Sequence, residues 1–329
     1  MSNLYIISTP YQLLIAIVKT ILAHRIGKDD LVVWSYEKSF NPQIMSNAGK
    51  IFHTITIVKC STTMSYLHIL LWRNRLTRLF PRHFKILKKF IGVDEETFRD
   101  KEIYIFMDHC SLGCLLNISK IKYNLIEDGL NFYQYNLDTF KKTRCFLSPL
   151  WDHLLGTSWK CFGESPYTKT IEVNTKEKIL VKHDHIIVKN RKEMFKELKL
   201  EEINYIANIF CYKPQHINII PGATLLLTQP LSEDGLISHS KKIALYKHLK
   251  KKYAIGTLYI KAHPREREDY SKVFPDAIIF EASKIPFEIY QLKEKFHFKR
   301  AVTAYSTAID AIFCADEKIT FGKEASLNF

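Results

Sequence analysis

The chain is poor in the residues that build disulfide frameworks and zinc sites. Its 329 residues include seven cysteines, an odd number, and only Cys110 and Cys114 are spaced as a pair. Small secreted scaffolds carry cysteines in even numbers, and a zinc site of this kind needs a second pair. The sequence therefore predicts reduced thiols in a cytosolic protein and argues against a structural zinc site.

Long apolar runs and glycine-rich motifs are also missing. The longest apolar run, Leu13 to Leu22, includes Lys19 and is too short to cross a bilayer. No signal peptide is visible, because the chain opens on a predicted strand, Leu4 to Ser8. Neither G-x-G-x-x-G nor a P-loop occurs, so dinucleotide-binding and ATPase interpretations lose their main support. We therefore expect a cytoplasmic protein without a transmembrane segment.

Acidic residues are scarce relative to basic ones: 34 acids stand against 48 lysines and arginines, a net charge of +14. Much of the excess lies between Leu67 and Phe90, here called the basic segment, which contains no acid. Apolar residues alternate with its cations, as in amphipathic helices at membrane surfaces. Two interpretations stay open, an ordinary surface helix pair or docking on anionic lipid head groups. No nucleic-acid-binding motif occurs, which disfavours a nucleic-acid partner.

Predicted strands and helices alternate along the chain in two successive series. The first series ends at the strand Thr170 to Val173, and the second follows a lysine-rich tract at 174–192. The second series is predicted to begin with an amphipathic helix from Met194 to Tyr212 and a strand from Asn218 to Ile220. Strands that alternate with helices form βαβ units and a mainly parallel sheet. The sequence therefore predicts an α/β protein with two Rossmann-like domains, residues 1–175 and 176–329, which face each other across a cleft. The tract at 174–192 is the predicted hinge.

Reactive side chains follow predicted strands at four places. Because ligands of open α/β sheets bind beyond the carboxyl ends of the strands, each place is a candidate site. The four are Glu127-Asp128-Gly129, the loop from Gln229 to Gly235 that contains Asp234, His263-Pro264, and Ser306-Thr307. Proline holds its predecessor in extended backbone, and hydroxyls at a helix start can bind a phosphate. The structural alternatives are solvated turns and, for Ser306-Thr307, a plain N-cap.

In their order and spacing these motifs resemble those of the bacterial sialyltransferases, which are acid-acid-Gly, His-Pro, and Ser-Ser or Ser-Thr. The opening Thr9-Pro10-Tyr11-Gln12 and the loop Thr228-Gln229-Pro230-Leu231 are similar to those of glycosyltransferase family 52, the lipooligosaccharide sialyltransferases. The resemblance runs from the first strand to the last helix. Each motif is short, so the resemblance depends on the order and spacing of all the motifs together.

The resemblance implies a GT-B fold, a CMP-sialic acid donor, inversion at the anomeric carbon, and no metal or other cofactor. The lack of an Asp-x-Asp motif agrees with the last point. It also implies that the C-terminal domain binds the donor, with His263 as general acid or phosphate partner and Glu288 on the ribose hydroxyls. The other substrate-binding residues that it implies are Thr9, Gln12, Gly129, Gln229, Pro264, Ser306 and Thr307.

The general base stays open between two aspartates. Related families use the acid-acid-Gly motif of the first domain, which would assign the base to Asp128, beside Glu127. In family 52 the base lies shortly before the His-Pro motif, which points to Asp234. We favour Asp234, with Asp128 then structural or acceptor-binding.

The resemblance implies an acceptor bound by the N-terminal domain, a galactose-type terminal sugar of bacterial lipooligosaccharide or capsule, and suggests a homodimer. Docking through the basic segment would hold the protein on the inner face of the inner membrane. Two alternatives stay open. One is a glucosyltransferase of the same family that uses a UDP-sugar, and the other is a peripheral membrane protein without catalysis.

Overall fold

The structure is a computed structural model that describes residues 2–36, 40–60, 95–128, 161–176, 179–214, 217–280, 285–294, 296–306 and 308–329. It forms two compact units, Met1–Glu202 with Asn208–Phe210, and Ile203–Ala207 with Cys211–Phe329. Each unit is built on its own parallel sheet, which confirms the predicted α/β class with two Rossmann-like domains. The basic segment, Gly129 and Thr307 lie outside the described residues.

The first unit contains a seven-stranded sheet in the order β3-β2-β1-β4-β5-β6-β7. Its strands are β1 (Ser2–Ile7), β2 (Asp30–Tyr36), β3 (Thr54–Cys60), β4 (Lys101–Ile105), β5 (Tyr123–Ile126), β6 (Thr168–Val173) and β7 (Ile186–Val188). The first six follow the Rossmann order, in which the direction of winding reverses between β1 and β4. Leu4 to Ile7 are buried, as expected for a central strand of a sheet that is covered on both faces.

The helices of the first unit are α1 (Pro10–Leu22), α2 (Pro42–Ala48), α3 (Ser111–Ile118) and α4 (Arg191–Lys196). The next helix in the chain, α5 (Leu200–Ile209), has residues in both units. Thr9 is the N-cap of α1, its Oγ1 accepts the Gln12 N–H at 3.2 Å, and Pro10 occupies the first helical position. Leu13 to Val18 are fully buried, which explains why α1 is apolar on every side. In the described part of the chain, no helix is both long and apolar enough to span a bilayer.

The second unit contains a five-stranded sheet in the order β10-β9-β8-β11-β12. Its strands are β8 (Thr224–Leu227), β9 (Leu258–Lys261), β10 (Ile278–Ile279), β11 (Phe298–Thr303) and β12 (Ala315–Thr320). The helices are α6 (His239–Tyr253), α7 (Tyr270–Val273), α8 (Phe287–Glu294), α9 (Ala308–Ala311) and α10 (Lys323–Leu327). The winding again reverses at the first strand of the series, here between β8 and β11.

The core of the second unit lies on both faces of this sheet. Leu225 and Leu227 pack in one apolar cluster with Phe298, whereas Leu226 packs in the other with Ile260. Successive residues of a strand point to opposite faces, so β8 contributes to both clusters. The three central strands are thereby fixed, and their carboxyl ends meet at one edge.

Two predicted elements differ in the structure. The helix predicted from Met194 to Tyr212 is two helices, α4 and α5, because the Glu202 carboxylate accepts the Lys199 N–H at 2.7 Å and starts a new helix. The strand predicted from Asn218 to Ile220 is irregular. There the Tyr259 hydroxyl takes the place of a neighbouring strand: it accepts the Ile220 N–H at 3.1 Å and donates to the Asn218 carbonyl at 2.7 Å.

The lysine-rich tract at 174–192 lies within the first unit. Ile186 to Val188 form β7, which pairs in parallel with β6. The first unit continues to Glu202, beyond the predicted boundary between residues 175 and 176. Three consecutive β-branched residues favour a strand even among lysines and histidines, and this local preference explains the difference.

Candidate active site

The predicted site residues follow strands of each sheet at or near the reversal of winding. In the first unit they are Thr9, Gln12, Glu127 and Asp128, and in the second they are Gln229, Asp234, His263, Pro264 and Ser306. Doubly wound sheets bind ligands beyond the carboxyl ends of strands at this position. Each sheet therefore presents a candidate site of its own.

Gln12 links the start of α1 to the acidic pair of the first unit. Its side chain is buried, its Oε1 accepts the Ser8 N–H at 2.6 Å, and its Nε2 donates to Asp128 Oδ2 at 3.0 Å. Because the Ser8 N–H needs an acceptor, the amide has one orientation, with nitrogen toward Asp128. The side chain of Thr9 contributes to this group of contacts as the N-cap of α1, where its Oγ1 accepts the Gln12 N–H.

Asp128 has an unusual proton affinity. Burial raises the pKa of its carboxyl to about 7, the charges of Glu127 and Asp108 act in the same direction, and the hydrogen bond from Gln12 opposes them. A carboxyl with this pKa exchanges a proton near neutral pH, as a general base or acid must. Asp128 is partly buried, whereas its neighbour Glu127 is buried.

Glu127 is held more tightly than its neighbour. Its Oε2 accepts the Asn174 N–H at 2.9 Å, and its own N–H donates to the Glu172 carbonyl at 2.9 Å. These contacts tie the end of β5 to β6 and to the segment after it. They fit a structural role for Glu127 better than a catalytic one.

Asp108 was not predicted as a site residue. It is buried, and its carboxylate accepts the N–H groups of Phe162 at 2.7 Å and Gly163 at 3.0 Å and the Tyr123 hydroxyl at 3.1 Å. Burial raises its pKa to about 6. A Cβ on Gly113 would lie 2.0 Å from the Asp108 carbonyl oxygen, so α3 can approach this turn only with glycine. Asp108 lies in no recognised sequence motif, so its hydrogen bonds with distant residues become evident only from the fold.

His263 is oriented through its backbone and through one ring nitrogen. Its N–H donates to Glu266 Oε2 at 2.9 Å and to Thr228 Oγ1 at 3.3 Å, and its Nδ1 accepts the Arg265 N–H at 3.2 Å. An accepting Nδ1 places the proton of the neutral ring on Nε2. Burial lowers the pKa of the ring to about 4, and the charges of Arg265 and Lys261 lower it further.

The neutral His263 ring thus offers Nε2–H as a hydrogen-bond donor at pH 7. Within the ranges that the structure describes, no acceptor is bonded to this group. A negative charge placed against it would raise its pKa, because an opposite charge favours the protonated form. Pro264, the next residue, is exposed and contributes through its restriction of the backbone.

The loop after β8 connects the His-Pro turn with the loop after β11. Thr228 donates its hydroxyl to Glu266 Oε2 and accepts the His263 N–H, while Gln229 Oε1 accepts the Tyr305 N–H at 2.9 Å. Gln229 itself is fixed by the Tyr246 hydroxyl, which accepts its N–H at 2.7 Å. The motifs predicted separately in the second unit therefore form one bonded cluster.

Ser306 lies in this cluster as a half-buried side chain. Its Oγ accepts the Ala308 N–H at 3.2 Å, so it caps the short helix α9, and its own N–H donates to Thr303 Oγ1 at 3.2 Å. An accepting hydroxyl still has its hydrogen to donate. The helix that follows has only four residues, Ala308–Ala311, so the hydroxyl is a better candidate for binding an anion than the helix end.

Asp234 forms a two-point ion pair with Arg265, with Oδ1–Nη1 at 2.6 Å and Oδ2–Nη2 at 3.0 Å. Gly235, with φ +69°, completes the turn that carries it. The pair lies at the surface and joins the Asp234 loop to the residue that follows His263-Pro264. The structure therefore brings two of the predicted catalytic residues, Asp234 and His263, onto neighbouring loops.

Glu288 and Lys261 are buried ionisable residues near this cluster. Glu288 lies in the first turn of α8, where it is buried and not a surface acid, and burial raises the pKa of its carboxyl to about 7. Burial lowers the pKa of Lys261 to about 8, against the attraction of Glu288. The Lys261 ammonium donates to the Ala262 carbonyl at 3.2 Å. Shifted groups of this kind concentrate at functional sites.

Across the described ranges, no three histidine, cysteine or acidic side chains are arranged to hold a metal ion.

Comparison with known proteins agrees with the assembled motifs. The family model described as Glycosyltransferase family 52 matches residues 64–324. A protein of Haemophilus influenzae strain Rd, described as uncharacterized, is 34% identical over 245 residues, which are 72% of each chain.

Solved structures with the same architecture include two bacterial enzymes. An alpha/beta-galactoside alpha-2,3-sialyltransferase of Photobacterium phosphoreum has a TM-score of 0.54 at 12% identity, over 97% of this chain and 89% of that one. The GT-B domain of a sialyltransferase from Photobacterium damselae has a TM-score of 0.52 at 13% identity, over 97% and 90% of the two chains. At these identities the likeness establishes a shared fold, which is the GT-B fold.

Proposed function

Because this chain belongs to glycosyltransferase family 52, we propose that it is an inverting sialyltransferase that works without a metal ion. It transfers sialic acid from CMP-sialic acid to a galactose-type terminal sugar of a bacterial lipooligosaccharide or capsule. The observation that carries the proposal is the bonded cluster after β8, β9 and β11, in which one loop contacts both the His263 turn and the Tyr305–Ser306 turn. A galactoside sialyltransferase of the same fold is consistent with the proposed acceptor.

The second unit supplies the groups that the leaving nucleotide needs. Cleavage of the bond from the anomeric carbon to the phosphate oxygen leaves CMP with an added negative charge. Nε2–H of His263 and the Ser306 hydroxyl are the proposed donors to that phosphate, and preorganised donors of this kind stabilise developing charge. The phosphate raises the pKa of His263 from about 4, so the ring can take up a proton and pass it to the departing oxygen.

Glu288 is the proposed partner of the ribose hydroxyls. A buried carboxyl can accept two hydrogen bonds from neighbouring hydroxyls, which fix the nucleoside in one orientation. Lys261 offsets the charge that the carboxylate then carries. The buried position of Glu288 supports this role, since a surface acid would give little selectivity.

The acceptor hydroxyl must lose its proton as it attacks the anomeric carbon. We assign this step to Asp234, because its ion pair with Arg265 attaches it to the loop of His263. Asp128 is then a residue of the acceptor side, where its hydrogen bond with Gln12 fixes it. The pKa of Asp128, about 7, suits a base as well, so the competing assignment is tested below.

The decisive experiment measures CMP release from CMP-sialic acid in EDTA, with and without a lactose acceptor. We expect acceptor-stimulated release in the wild type and its loss in H263A. The matched control H297A, which changes an exposed histidine at the start of β11, should remain active. Consumption of UDP-glucose instead would keep the fold and replace the function with that of a glucosyltransferase. Turnover of neither donor would favour a protein without catalysis.

We further propose that the basic segment holds the protein on the inner face of the inner membrane. Its support is the charge pattern of the sequence, with interleaved apolar residues and no acid. The homodimer that the family resemblance implies stays a prediction.

A further inference from the structure

Lys242 is a fully buried lysine on α6, and its ammonium faces three carboxylates. Nζ lies 2.9 and 3.2 Å from the two oxygens of Glu233, 3.6 Å from Glu266 and 3.9 Å from Glu268. Other partners of these acids include the Tyr270 hydroxyl on Glu266 at 2.6 Å, the Thr228 hydroxyl on Glu266, and His239 on Glu268 at 2.5 Å. A buried charge persists only when it is compensated in this way.

Two of these carboxylates belong to the loops that carry the proposed catalytic residues. Glu233 directly precedes Asp234, and Glu266 accepts the His263 N–H at 2.9 Å. Glu233 also accepts the Arg267 N–H at 3.2 Å, so the same carboxylate contacts both loops. The surface ion pair between Asp234 and Arg265 is a second link, but exposed pairs contribute little. The buried ammonium is therefore a charged connection between the two loops, in addition to the hydrogen bonds of Thr228 with Glu266 and His263.

We propose that Lys242 is a positioning residue, which sets the relative position of Asp234 and His263 by binding Glu233 and Glu266 with one buried charge. This inference rests on the proposed function for its catalytic consequence. Without the ammonium, the acids of this cluster repel one another across a low-dielectric interior, and the two loops move apart. The hydrogen bond and charge of Lys242 hold the pKa of Glu233 at about 2 against the effect of burial.

The test compares K242M, which keeps the length of the side chain, with the control K247M on the exposed face of the same helix. Amide hydrogen exchange followed by mass spectrometry reports on residues 228–235 and 262–270. We expect faster exchange in both stretches for K242M and unchanged exchange for K247M. The turnover number of K242M should fall by about a hundredfold, because a displacement of about 1 Å in a catalytic group has an effect of this size. The KM for the donor should change little.

A double variant distinguishes a positioning role of Lys242 from a general loss of structure. E233Q removes the carboxylate that K242M leaves without its partner, so K242M/E233Q should regain exchange protection and part of the lost turnover. The activity of K242M should also depend on pH more than that of the wild type, because Lys242 no longer holds the pKa of Glu233 low and the charge of Glu233 then changes with pH beside the other acids. A purely structural role predicts a loss that is independent of pH and not rescued.

Wild-type exchange and turnover in K242M would overturn the inference. If the wild type consumes no CMP-sialic acid, the proposed function fails, and the exchange measurements alone decide the role of Lys242. If K242M does not fold, the comparison moves to E233Q against the wild type, because E233Q removes the charged oxygens that Lys242 binds on the Asp234 loop. Wild-type exchange of residues 228–235 and 262–270 in E233Q would overturn the inference as well.

Discussion

The side-chain amide of Gln12 donates a hydrogen bond to the Asp128 carboxylate, with Nε2 and Oδ2 3.0 Å apart, across 116 residues of sequence. The bond favours the ionised form of Asp128, whereas burial and the charge of Glu127 disfavour it. The Thr-Pro-x-Gln opening and the acid-acid-Gly motif therefore form one structural unit. The proton affinity of Asp128 depends on Gln12.

The two candidate bases, Asp234 and Asp128, are distinguished by the kinetic parameter that each substitution changes. If Asp234 is the base, D234N should lower the turnover number by about 10²- to 10⁴-fold, the range for general base catalysis. D128N should mainly raise the KM for the acceptor. Initial rates measured against acceptor concentration, at saturating CMP-sialic acid, distinguish these effects.

Asp128 as the base would give a different pH dependence. Since a base must be deprotonated, the ratio kcat/KM for the wild type would then rise as pH increases through about 7. Q12L would move that midpoint to higher pH, because it removes a hydrogen bond that lowers the pKa of Asp128. Observation of both shifts would transfer the role of base from Asp234 to Asp128.

His263 is expected to be essential for turnover but not for folding. H263A should reduce kcat by about 10²- to 10⁴-fold through loss of the proton donor, with a thermal midpoint close to that of the control H297A. Because a proton donor must be protonated, and the donor phosphate raises the pKa of the ring from about 4, the kcat of the wild type should fall as pH rises through the pKa of the bound ring, and H263A should lack this fall. Activity of H263A equal to that of H297A would show that His263 is not the proton donor.

Ser306 should distinguish nucleotides by their phosphate. A hydrogen bond to a charged group contributes about 1.5 to 3 kcal/mol, so S306A should weaken CMP binding by about tenfold or more. Cytidine, which has no phosphate, should bind equally well to the wild type and S306A. Calorimetric titration measures both, with S271A on α7 as an exposed control. An equal effect on both ligands would reduce Ser306 to a helix cap.

Much of the fold was predictable because local signals and tertiary contacts agree. Thr9 and Pro10 mark the start of α1, and the apolar run after them matches a helix that is buried on all sides. The differences arise where side chains replace backbone partners. Tyr259 satisfies the backbone from Asn218 to Ile220, and Glu202 starts a second helix, and neither contact follows from hydrophobic periodicity.

The site was predictable where a short motif restricts the backbone, as Pro264 does for His263. Asp108 and Lys242 stand in no motif, because each acts through partners that are distant in sequence. One signal for Lys242 was available. Lys242 lies on the stripe of α6 that also contains Leu245, Tyr246 and Leu249. Because this stripe is buried, a lysine on it must contact a buried acid.

The basic segment should determine attachment to anionic membranes. Reversal of charge at Arg75, Arg78 and Arg82 to glutamate should abolish sedimentation with phosphatidylglycerol vesicles, since each basic residue near such a surface contributes about 1 kcal/mol. Binding of the wild type should weaken as salt increases. A control with the exposed residues Lys241, Lys247 and Lys251 changed to glutamate gives the same change in net charge. Equal loss in both variants would mean that net charge, and not the segment, attracts the protein.

Glu288 links stability to nucleotide binding. Its pKa is about 7 in the folded protein against an ordinary 4.5, because its carboxyl is buried. A raised pKa means that the folded state holds the proton more tightly than the unfolded chain. The contribution of Glu288 to stability is therefore fully present below pH 4.5 and is lost as pH rises through about 7.

Glutamine at this position cannot ionise, so E288Q should unfold like the wild type at pH 4 and be more stable at pH 8. The gain should be at most about 3 kcal/mol, from 1.36 kcal/mol for each unit of pKa. Urea unfolding at the two pH values measures it. The same variant should bind CMP more weakly, while dideoxy-CMP, which lacks the ribose hydroxyls, should bind both proteins alike. A variant that is stabilised at pH 8 but binds CMP normally would make Glu288 a buried acid without a role in the donor site.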